Sequence, residues 1–180
     1  MTRIIETQRL VLRPWEQADV ASATAIYSAP SVKRWLAPGV DVSASSDGMQ
    51  RQLAEWMDHD RTSTSCLGHW AVALRSTSDV IGALTLTQAP HASESITIGW
   101  ALAPEAWGHG YATEAGDALV RWAVHEGGAT EVFAIVQPDN ARAEATAKRI
   151  GMEWVAELGH LPGGRYQVFR IRHVDLAWED

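Results

Sequence analysis

Cysteine, long apolar runs and an excess of basic residues are scarce or missing in this 180-residue sequence. Cys66 is the single cysteine, which excludes an internal disulfide and a four-cysteine zinc site, and we interpret it as an ordinary loop or strand thiol. No stretch approaches the roughly 18 consecutive apolar residues that a membrane span needs. Residues Met1 to Arg13 show no signal-peptide pattern. These absences favour a cytoplasmic protein without a membrane partner.

The formal net charge of −7 predicts no nucleic-acid partner, since such proteins carry a basic face. It is compatible with a cationic acceptor such as an amine. The seven histidines show no His-Glu-x-x-His spacing, so we expect no metal ion. A hydrophobic content of 46% is enough for one core, and no linker or repeat divides residues 1–180. We therefore expect a single domain, and a homodimer is compatible with it.

Hydrophobic periodicity predicts a mixed α+β (α/β) fold. Strands are predicted at 9–13, 70–74, 80–87, 95–102, 131–136, 154–158 and 166–172, and helices at 19–27, 45–60, 113–125 and 140–150. Pro30, Pro38 and Gly39 predict turns between the first two helices. The order of strand, two helices, three strands, helix, strand, helix and two strands is typical of a mixed sheet flanked by helices.

The most informative segment is a glycine-containing turn, Trp107 to Thr113, between a predicted strand and a predicted helix. Such a turn leaves backbone N–H groups pointing outward at the positive end of the helix. Gly108 and Gly110 let a ligand approach the backbone without Cβ atoms in the way. The segment therefore favours an anion site for a phosphate or pyrophosphate, with a plain strand-to-helix turn as the alternative. A Rossmann motif would need a third glycine, and a P-loop would need a Gly-Lys-Ser/Thr ending.

A second element follows the strand that ends at Val136. Asn140 is placed to cap a helix and Gly151 to end it, which by themselves are features of an ordinary helix. Together, the turn and this helix resemble the two halves of the coenzyme A site in the GNAT-type acetyltransferase superfamily.

The resemblance rests on particular positions and covers nearly the whole chain. In the family's Gln/Arg-x-x-Gly-x-Gly/Ala turn, Gly110 and Ala112 match, whereas Trp107 replaces Gln or Arg. Downstream, Asn140, Gly151 and Met152 match, whereas Ala143 stands where a Ser is usual. The segments 7–14, 81–82 and 107–115 resemble the branch that acetylates ribosomal-protein N-termini, the Rim-like branch.

The resemblance implies a mostly antiparallel, twisted sheet, splayed beside a strand bulge to hold acetyl-CoA as the acyl donor. The turn would wrap the pyrophosphate, the strand from Trp100 to Leu102 would pair with the pantetheine arm, and Asn140 would contact that arm from the other side. The coenzyme-binding residues that it implies are Trp100, Ala101, Leu102, Trp107, Gly108, His109, Gly110, Tyr111, Ala112, Thr113 and Asn140.

The implied reaction is direct attack of a primary amine on the thioester carbon in a ternary complex. An N-terminal α-amine has a pKa of roughly 7.7–8.0 and is easier to deprotonate than a lysine amine, at about 10.4. The usual Ser, Tyr and Glu positions of the family are Ala143, Ala147 and Thr97 here. We therefore name no catalytic residue. The candidate bases are His69, His91, Glu94, Glu105 and His160.

The acceptor is expected opposite the coenzyme, between residues 28–39 and 159–166. These segments contribute Trp35, His160, Arg165 and Tyr166, a mixed aromatic and polar set suited to a small-ligand pocket. The acceptor would be a protein N-terminus or a small-molecule amine. The missing Ser, Tyr and Glu leave an alternative function, a coenzyme A-binding sensor or regulatory module with little catalysis.

Overall fold

The fold is taken from a computed structural model. It describes residues 3–36, 45–89, 92–161 and 164–176, apart from the side chains of residues 92–94, 160 and 161. Among the helices described, none combines the length and the apolar character that crossing a membrane would require.

The described residues form eight strands and five α-helices in the predicted order, with two short additions. The strands are β1 (Ile5–Glu6), β2 (Leu10–Pro14), β3 (Gly68–Leu74), β4 (Val80–Ala89), β5 (Ala92–Leu102), β6 (Glu131–Val136), β7 (Glu153–Leu161) and β8 (Gly164–Arg172). The helices are α1 (Val20–Ser28), α2 (Pro30–Lys33), α3 (Ser46–Thr62), α4 (Tyr111–His125) and α5 (Ala141–Ile150). The two elements that were not predicted are β1 and α2.

Helix α2 corrects the predicted turn at Pro30. Proline at the first helical position costs no hydrogen bond, because that N–H has no partner in the helix anyway. Pro30 therefore begins a one-turn helix. Pro38 and Gly39 lie outside the described residues.

One mixed sheet joins all eight strands in the order β1-β2-β3-β4-β5-β6-β8-β7. Strands β5 and β6 run parallel, and every other neighbouring pair is antiparallel. The predicted mixed, mostly antiparallel sheet is confirmed.

The parallel junction between β5 and β6 is short. Its register contains only Ile96↔Val132 and Thr97↔Phe133, although β5 continues to Leu102. The ladder between β4 and β5 is unbroken from Gly82↔Leu102 to Gln88↔Ile96, and its irregularity lies beyond that, at Gln88/Ala89. The expected bulge at the splay is therefore wrong. The sheet opens because β5 keeps its ladder with β4 and β6 keeps its ladder with β8, while the junction between them ends early.

Successive side chains along each strand point to opposite faces of the sheet, and each face carries its own hydrophobic core. Leu84, Ile98 and Trp70 pack with α4 and α5 on one face. Ala83 and Ala101 pack with α1 and α3 on the other, where small side chains let the helices lie close to the sheet. A groove between β5 and β6 can therefore open to both faces.

Side-chain caps begin two helices beside the groove, and the predicted ends of α5 are confirmed. The Ser45 side chain accepts a hydrogen bond of 3.2 Å from the Gly48 N–H at the start of α3. The Asn140 side chain accepts one of 3.2 Å from the Ala143 N–H at the start of α5. Gly151 ends α5 in a left-handed conformation with φ of 95°.

We predict that Gly127→Ala destabilises the fold. A Cβ atom at residue 127 would overlap the carbonyl oxygen of Ala123, which is backbone, and the Cβ of the buried Cys66 side chain. Overpacking of this kind costs about 1–3 kcal/mol. Urea unfolding should show that loss, whereas Gly159→Ala, whose Cβ would have nothing within 4 Å, should change stability by less than about 0.5 kcal/mol. Equal stabilities for the two variants would contradict the packing described here.

Candidate active site

A groove of about 1270 Å³ follows the opening between β5 and β6 and reaches both faces of the sheet. One half lies against the glycine turn, the end of β5 and α5. The other half lies under α1, α2 and α3. The two halves meet beside Gly99 and Trp100, where β5 has lost its pairing with β6.

The glycine turn precedes α4 as predicted, but the helix begins at Tyr111, two residues before the predicted Thr113. Gly108 and Gly110 have φ of 81° and 78°, a left-handed region that favours glycine. Gly110 is the N-cap of α4 and provides no side chain to satisfy the first helical N–H groups. Those of Ala112 and Thr113 therefore belong to a positively polarised helix start that lines the groove. This half of the groove is suited to an anion.

Arg9, in the bend just before β2, holds the turn, a role that its sequence position did not reveal. Its guanidinium donates 2.9 Å to the His109 carbonyl oxygen, pairs with Glu114 at 2.6 Å and lies 4.6 Å from the Tyr111 ring centre. Thr7 donates to the other Glu114 oxygen at 2.6 Å. These contacts fix the start of α4 relative to β2.

Glu114 is ionised in this arrangement. Burial alone would raise the pKa of its carboxyl group, but hydrogen bonds from Thr7 and from the Arg9 backbone and side chain bring the pKa below its usual value of 4.5. Glu114 therefore anchors the turn as a carboxylate at neutral pH.

Trp107 occupies the place of the expected Gln or Arg and is itself fixed in position. Its indole N–H donates 2.9 Å to the Leu102 carbonyl oxygen, and the Arg142 guanidinium stacks 4.4 Å from its ring centre. Arg9, Arg142 and Arg149 all line the groove. The charge of Arg9 is balanced by Glu114, whereas Arg142 and Arg149 add positive charge to this half of the groove.

The structure brings ten of the eleven predicted coenzyme-binding residues to this groove. The exception is His109, which lines a smaller cavity of about 370 Å³ and has its ring 5.5 Å from that of Tyr111. The groove-lining residues are Trp100, Ala101, Leu102, Trp107, Gly108, Gly110, Tyr111, Ala112, Thr113 and Asn140.

The positions where relatives carry catalytic side chains differ in their surroundings. Ala143 lines the groove, whereas Ala147 is fully buried in the core. Thr97 lines the groove, and its hydroxyl lies 3.1 Å from that of Thr87, which pairs with it across the sheet. None of these three side chains can act as a strong base.

The half of the groove under α1, α2 and α3 is lined by aromatic residues, one of which, Trp35, was predicted for the acceptor pocket. Trp35 lines the groove, and the Arg34 guanidinium lies 4.5 Å from its ring centre. Tyr27 and Trp56 form the wall next to it, 6.0 Å apart in an edge-on arrangement. Burial raises the pKa of the Tyr27 hydroxyl, so this group stays neutral.

Of the other predicted acceptor residues, the two in the last hairpin whose side chains are described, Arg165 and Tyr166, lie outside the groove lining. Tyr166 in β8 is buried, with 3% of its surface exposed, and lies outside the groove lining. Arg165 is exposed and pairs with Glu157 at 3.1 Å. His160 lies in β7, and its side chain falls outside the described part of the chain.

Among the candidate bases whose side chains are described, His69 is the one that lines the groove. Glu105 is exposed beside the smaller cavity. His91 and the side chain of Glu94 lie outside the described part of the chain. A base at residue 69 could not be singled out from the sequence, because its contacts with Asp60 and Trp56 depend on how α3 packs against β3.

His69 belongs to a compact cluster with His59 and Asp60. The Nδ1 atoms of the two histidines lie 3.2 and 3.1 Å from the same Asp60 carboxylate oxygen. Burial raises the pKa of the Asp60 carboxyl, but hydrogen bonds from His69 and His59 outweigh this and lower it. The three ligand-type atoms lie within 4.8 Å of one another, a spacing that could admit a metal ion. Hydrogen bonds from the two histidines to an ionised Asp60 account for the cluster without a metal ion.

Comparison with known proteins defines the class of the chain. A family model of the acetyltransferase (GNAT) domain matches residues 9–153. The chain therefore belongs to the GNAT acetyltransferase family, and the protein is an acetyltransferase.

Individual relatives agree with this assignment. The chain is 26% identical over 136 residues to the uncharacterized N-acetyltransferase p20 of Bacillus licheniformis, covering 74% of this chain and 73% of p20. It is similar in fold to Mycobacterium smegmatis RimJ in complex with CoA-disulfide, with a TM-score of 0.79 and 19% identity over 94% of this chain and 85% of RimJ. It is also similar to RimL, a ribosomal α-N-protein acetyltransferase in complex with coenzyme A, with a TM-score of 0.76 and 16% identity over 94% and 97% of the two chains.

We predict that Glu114→Gln lowers stability at neutral pH and that the difference from the native chain shrinks in acid. Because the folded-state pKa of Glu114 lies below its usual value of 4.5, the carboxylate stabilises the fold above that pH. The contribution is lost as the pH falls through the lowered folded-state pKa. Urea midpoints measured from pH 7 to pH 3 test this, with Glu55→Gln on the exposed face of α3 as the matched control. A pH-independent difference would show that Glu114 does not act through its charge.

Proposed function

We propose that this acetyltransferase moves an acetyl group from acetyl-CoA to a primary amine. A protein N-terminal α-amine is the leading acceptor, and a small-molecule amine is the alternative. The observation that carries the proposal is the groove itself. It runs from an anion-binding helix start, along the unpaired edge of β5, to an aromatic pocket on the other face of the sheet.

The donor half has groups for each part of coenzyme A. The N–H groups from Gly108 to Thr113, together with Arg9 and Arg142, would hold the phosphates. The edge of β5 from Trp100 to Leu102 would pair with the pantetheine arm as a strand pairs with its neighbour. RimJ and RimL are similar in fold and were determined with coenzyme A species, which supports this use of the groove.

The acceptor half would bring the amine to the thioester beside Gly99. Its neutral nitrogen attacks the thioester carbon, the C–S bond breaks, and the thiolate leaves with the proton released by the nitrogen. Holding the amine and the thioester together in one groove supplies much of the rate enhancement, because the two reactants no longer have to meet in solution. RimL's α-N-protein activity supports an N-terminal α-amine as the leading acceptor.

The alternative of a coenzyme A-binding module without turnover was based on the missing Ser, Tyr and Glu. The groove does hold a histidine on its acceptor side, and the chain belongs to an acetyltransferase family. An enzyme is therefore the better supported function.

We predict that coenzyme A stabilises the native protein and that Gly110→Val abolishes this effect. Valine at a φ of 78° is strained, and its side chain would fill space next to the first N–H groups of α4. Coenzyme A at a hundred times its Kd should stabilise the native chain by about 2.7 kcal/mol, measurable as a thermal shift.

Gly128→Val is the matched control for that experiment. Gly128 also has a positive φ, 67°, and lies in open space away from the groove. The Gly128→Val protein should lose stability through the same backbone strain but should still be stabilised by coenzyme A. A folded Gly110→Val protein with native coenzyme affinity would show that the glycine turn does not bind the coenzyme.

We also predict that Trp35→Ala raises the KM for the acceptor and leaves coenzyme affinity unchanged. Trp35 lies in the acceptor half, so its loss should affect only the interactions made there. Steady-state kinetics with an N-terminal peptide and acetyl-CoA test this. Trp154→Ala is the control, since Trp154 is 55% exposed on β7 and outside the groove lining. Native acceptor kinetics, or an equal loss of coenzyme affinity, would place the acceptor elsewhere.

A further inference from the structure

We propose that His69 is the general base of this acetyltransferase, oriented by Asp60 and Trp56, and that it takes the proton that the acceptor amine gives up. The inference rests on the proposed donor and acceptor halves of the groove. It assigns a proton acceptor on β3 to a chain whose positions 97, 143 and 147 carry Thr, Ala and Ala.

Asp60 fixes the direction of the imidazole. One Asp60 oxygen accepts the His69 backbone N–H at 2.8 Å, and the other lies 3.2 Å from His69 Nδ1. Asp60 has 7% of its side chain exposed, so solvent competes little for these bonds. A carboxylate accepts and does not donate, so Nδ1 carries the proton and Nε2 is the nitrogen left to receive another.

Trp56 fixes the plane of the same ring. The Trp56 and His69 rings stack with centres 4.6 Å apart and an interplanar angle of 8°. Trp56 is held in turn by Trp15 and Tyr27, at 6.3 and 6.0 Å. Stacking on one face and a carboxylate at Nδ1 leave the imidazole few ways to turn. Only 15% of the His69 side chain is exposed, and it lines the groove.

The strand register places His69 in line with the reaction centre. His69 pairs with Thr85 across β3 and β4, and Thr85 pairs with Gly99 across β4 and β5. Residues paired in this way share one face of the sheet, here the acceptor face. Two strand spacings, about 10 Å, separate the backbones at His69 and Gly99. The imidazole covers part of that distance, and the amine or one water molecule covers the rest.

Gly99 and Thr85 keep this path polar and open. A Cβ atom at residue 99 would lie 2.8 Å from the Thr85 hydroxyl oxygen, so the absence of a side chain at Gly99 makes room for that hydroxyl. Both residues line the groove. A hydroxyl between the base and the unpaired edge of β5 is suited to hold a water or the amine itself.

The proton balance is simple. An ammonium acceptor transfers one proton to Nε2 of His69 and becomes the neutral amine. The amine then forms the C–N bond, the C–S bond breaks, and the proton released by the nitrogen leaves with the thiolate as the free thiol. His69 returns its proton to solvent. No oxidant, reductant or metal ion takes part in these steps.

Among the described residues, the titratable and charged groups around His69 come from three elements. Asp60 and His59 lie on α3, and Tyr27 lies on α1 beside Trp56. Arg3, in the N-terminal segment, bonds to the Leu67 carbonyl oxygen at 3.0 Å next to the cluster. His59 shares the Asp60 oxygen, but it has 58% of its side chain exposed and lies outside the groove lining.

The test compares His69→Gln with His59→Gln in the full-length chain, using acetyl-CoA and a peptide with a free N-terminal α-amine. His69→Gln should lose about 10²-fold in kcat/KM at pH 7, the usual contribution of a general base, and retain native affinity for coenzyme A. Above about pH 8 the α-amine is mostly neutral before it binds, so the loss should shrink. His59→Gln should retain near-native kinetics throughout.

Imidazole rescue separates a chemical role from a structural one. Adding imidazole to His69→Gly should restore part of the turnover at pH 7, because a free base can then occupy the vacated space; a packing defect would not respond. Native activity in a folded His69→Gln protein, or a loss that is equal at every pH and not rescued, would overturn the inference while leaving the proposed function in place. Activity lost on chelation and restored by zinc would overturn it by assigning the cluster to a metal ion. Failure of the native chain to bind coenzyme A would overturn the proposed function itself.

Discussion

The short parallel junction between β5 and β6 is the constraint on which the rest of the structure depends. Two residue pairs join these strands, and beyond Thr97 each strand keeps only its antiparallel neighbour. Backbone groups on the free edge of β5 would normally be paired in a sheet, and here they line a groove instead. A longer junction would close this opening and separate the two faces of the sheet. The early end of the β5–β6 ladder is therefore the feature that leaves room for a groove between the two strands.

The two faces that meet at this opening have different chemistry. The side proposed for the donor combines a helix start, left without a side-chain cap at Gly110, with the guanidinium groups of Arg142 and Arg149. The acceptor side is aromatic, and it contains a histidine fixed by a buried carboxylate and a stacked indole. The protein carries a net charge of −7, so the cationic donor half is a local arrangement and not a consequence of overall composition. Charge placement and aromatic packing together separate the proposed sites of the anionic coenzyme and the amine.

Much of the fold could be predicted from local patterns. Strand β6 was predicted at its observed bounds, and the helix ends at Asn140 and Gly151 were confirmed, because each depends on residues a few positions apart. The one-turn helix at Pro30 and the two-residue strand β1 were missed, since elements so short carry no periodicity. The splay was expected from family resemblance but attributed to a bulge. Its true origin is the relative placement of two ladders, which no local pattern encodes.

The glycine turn and the helix that follows it could be predicted from the sequence, because both depend on neighbouring residues, whereas the class of chemistry was inferred from the resemblance to a family. Which side chains reach the groove depends on the tertiary structure. It joined Arg9 to the turn across about a hundred residues, removed Tyr166 from the acceptor half, and brought Asp60 and Trp56 of α3 to His69 of β3. Hydrogen bonds and ring stacking between distant segments depend on how helices pack on a sheet, and that packing is fixed by the whole core at once.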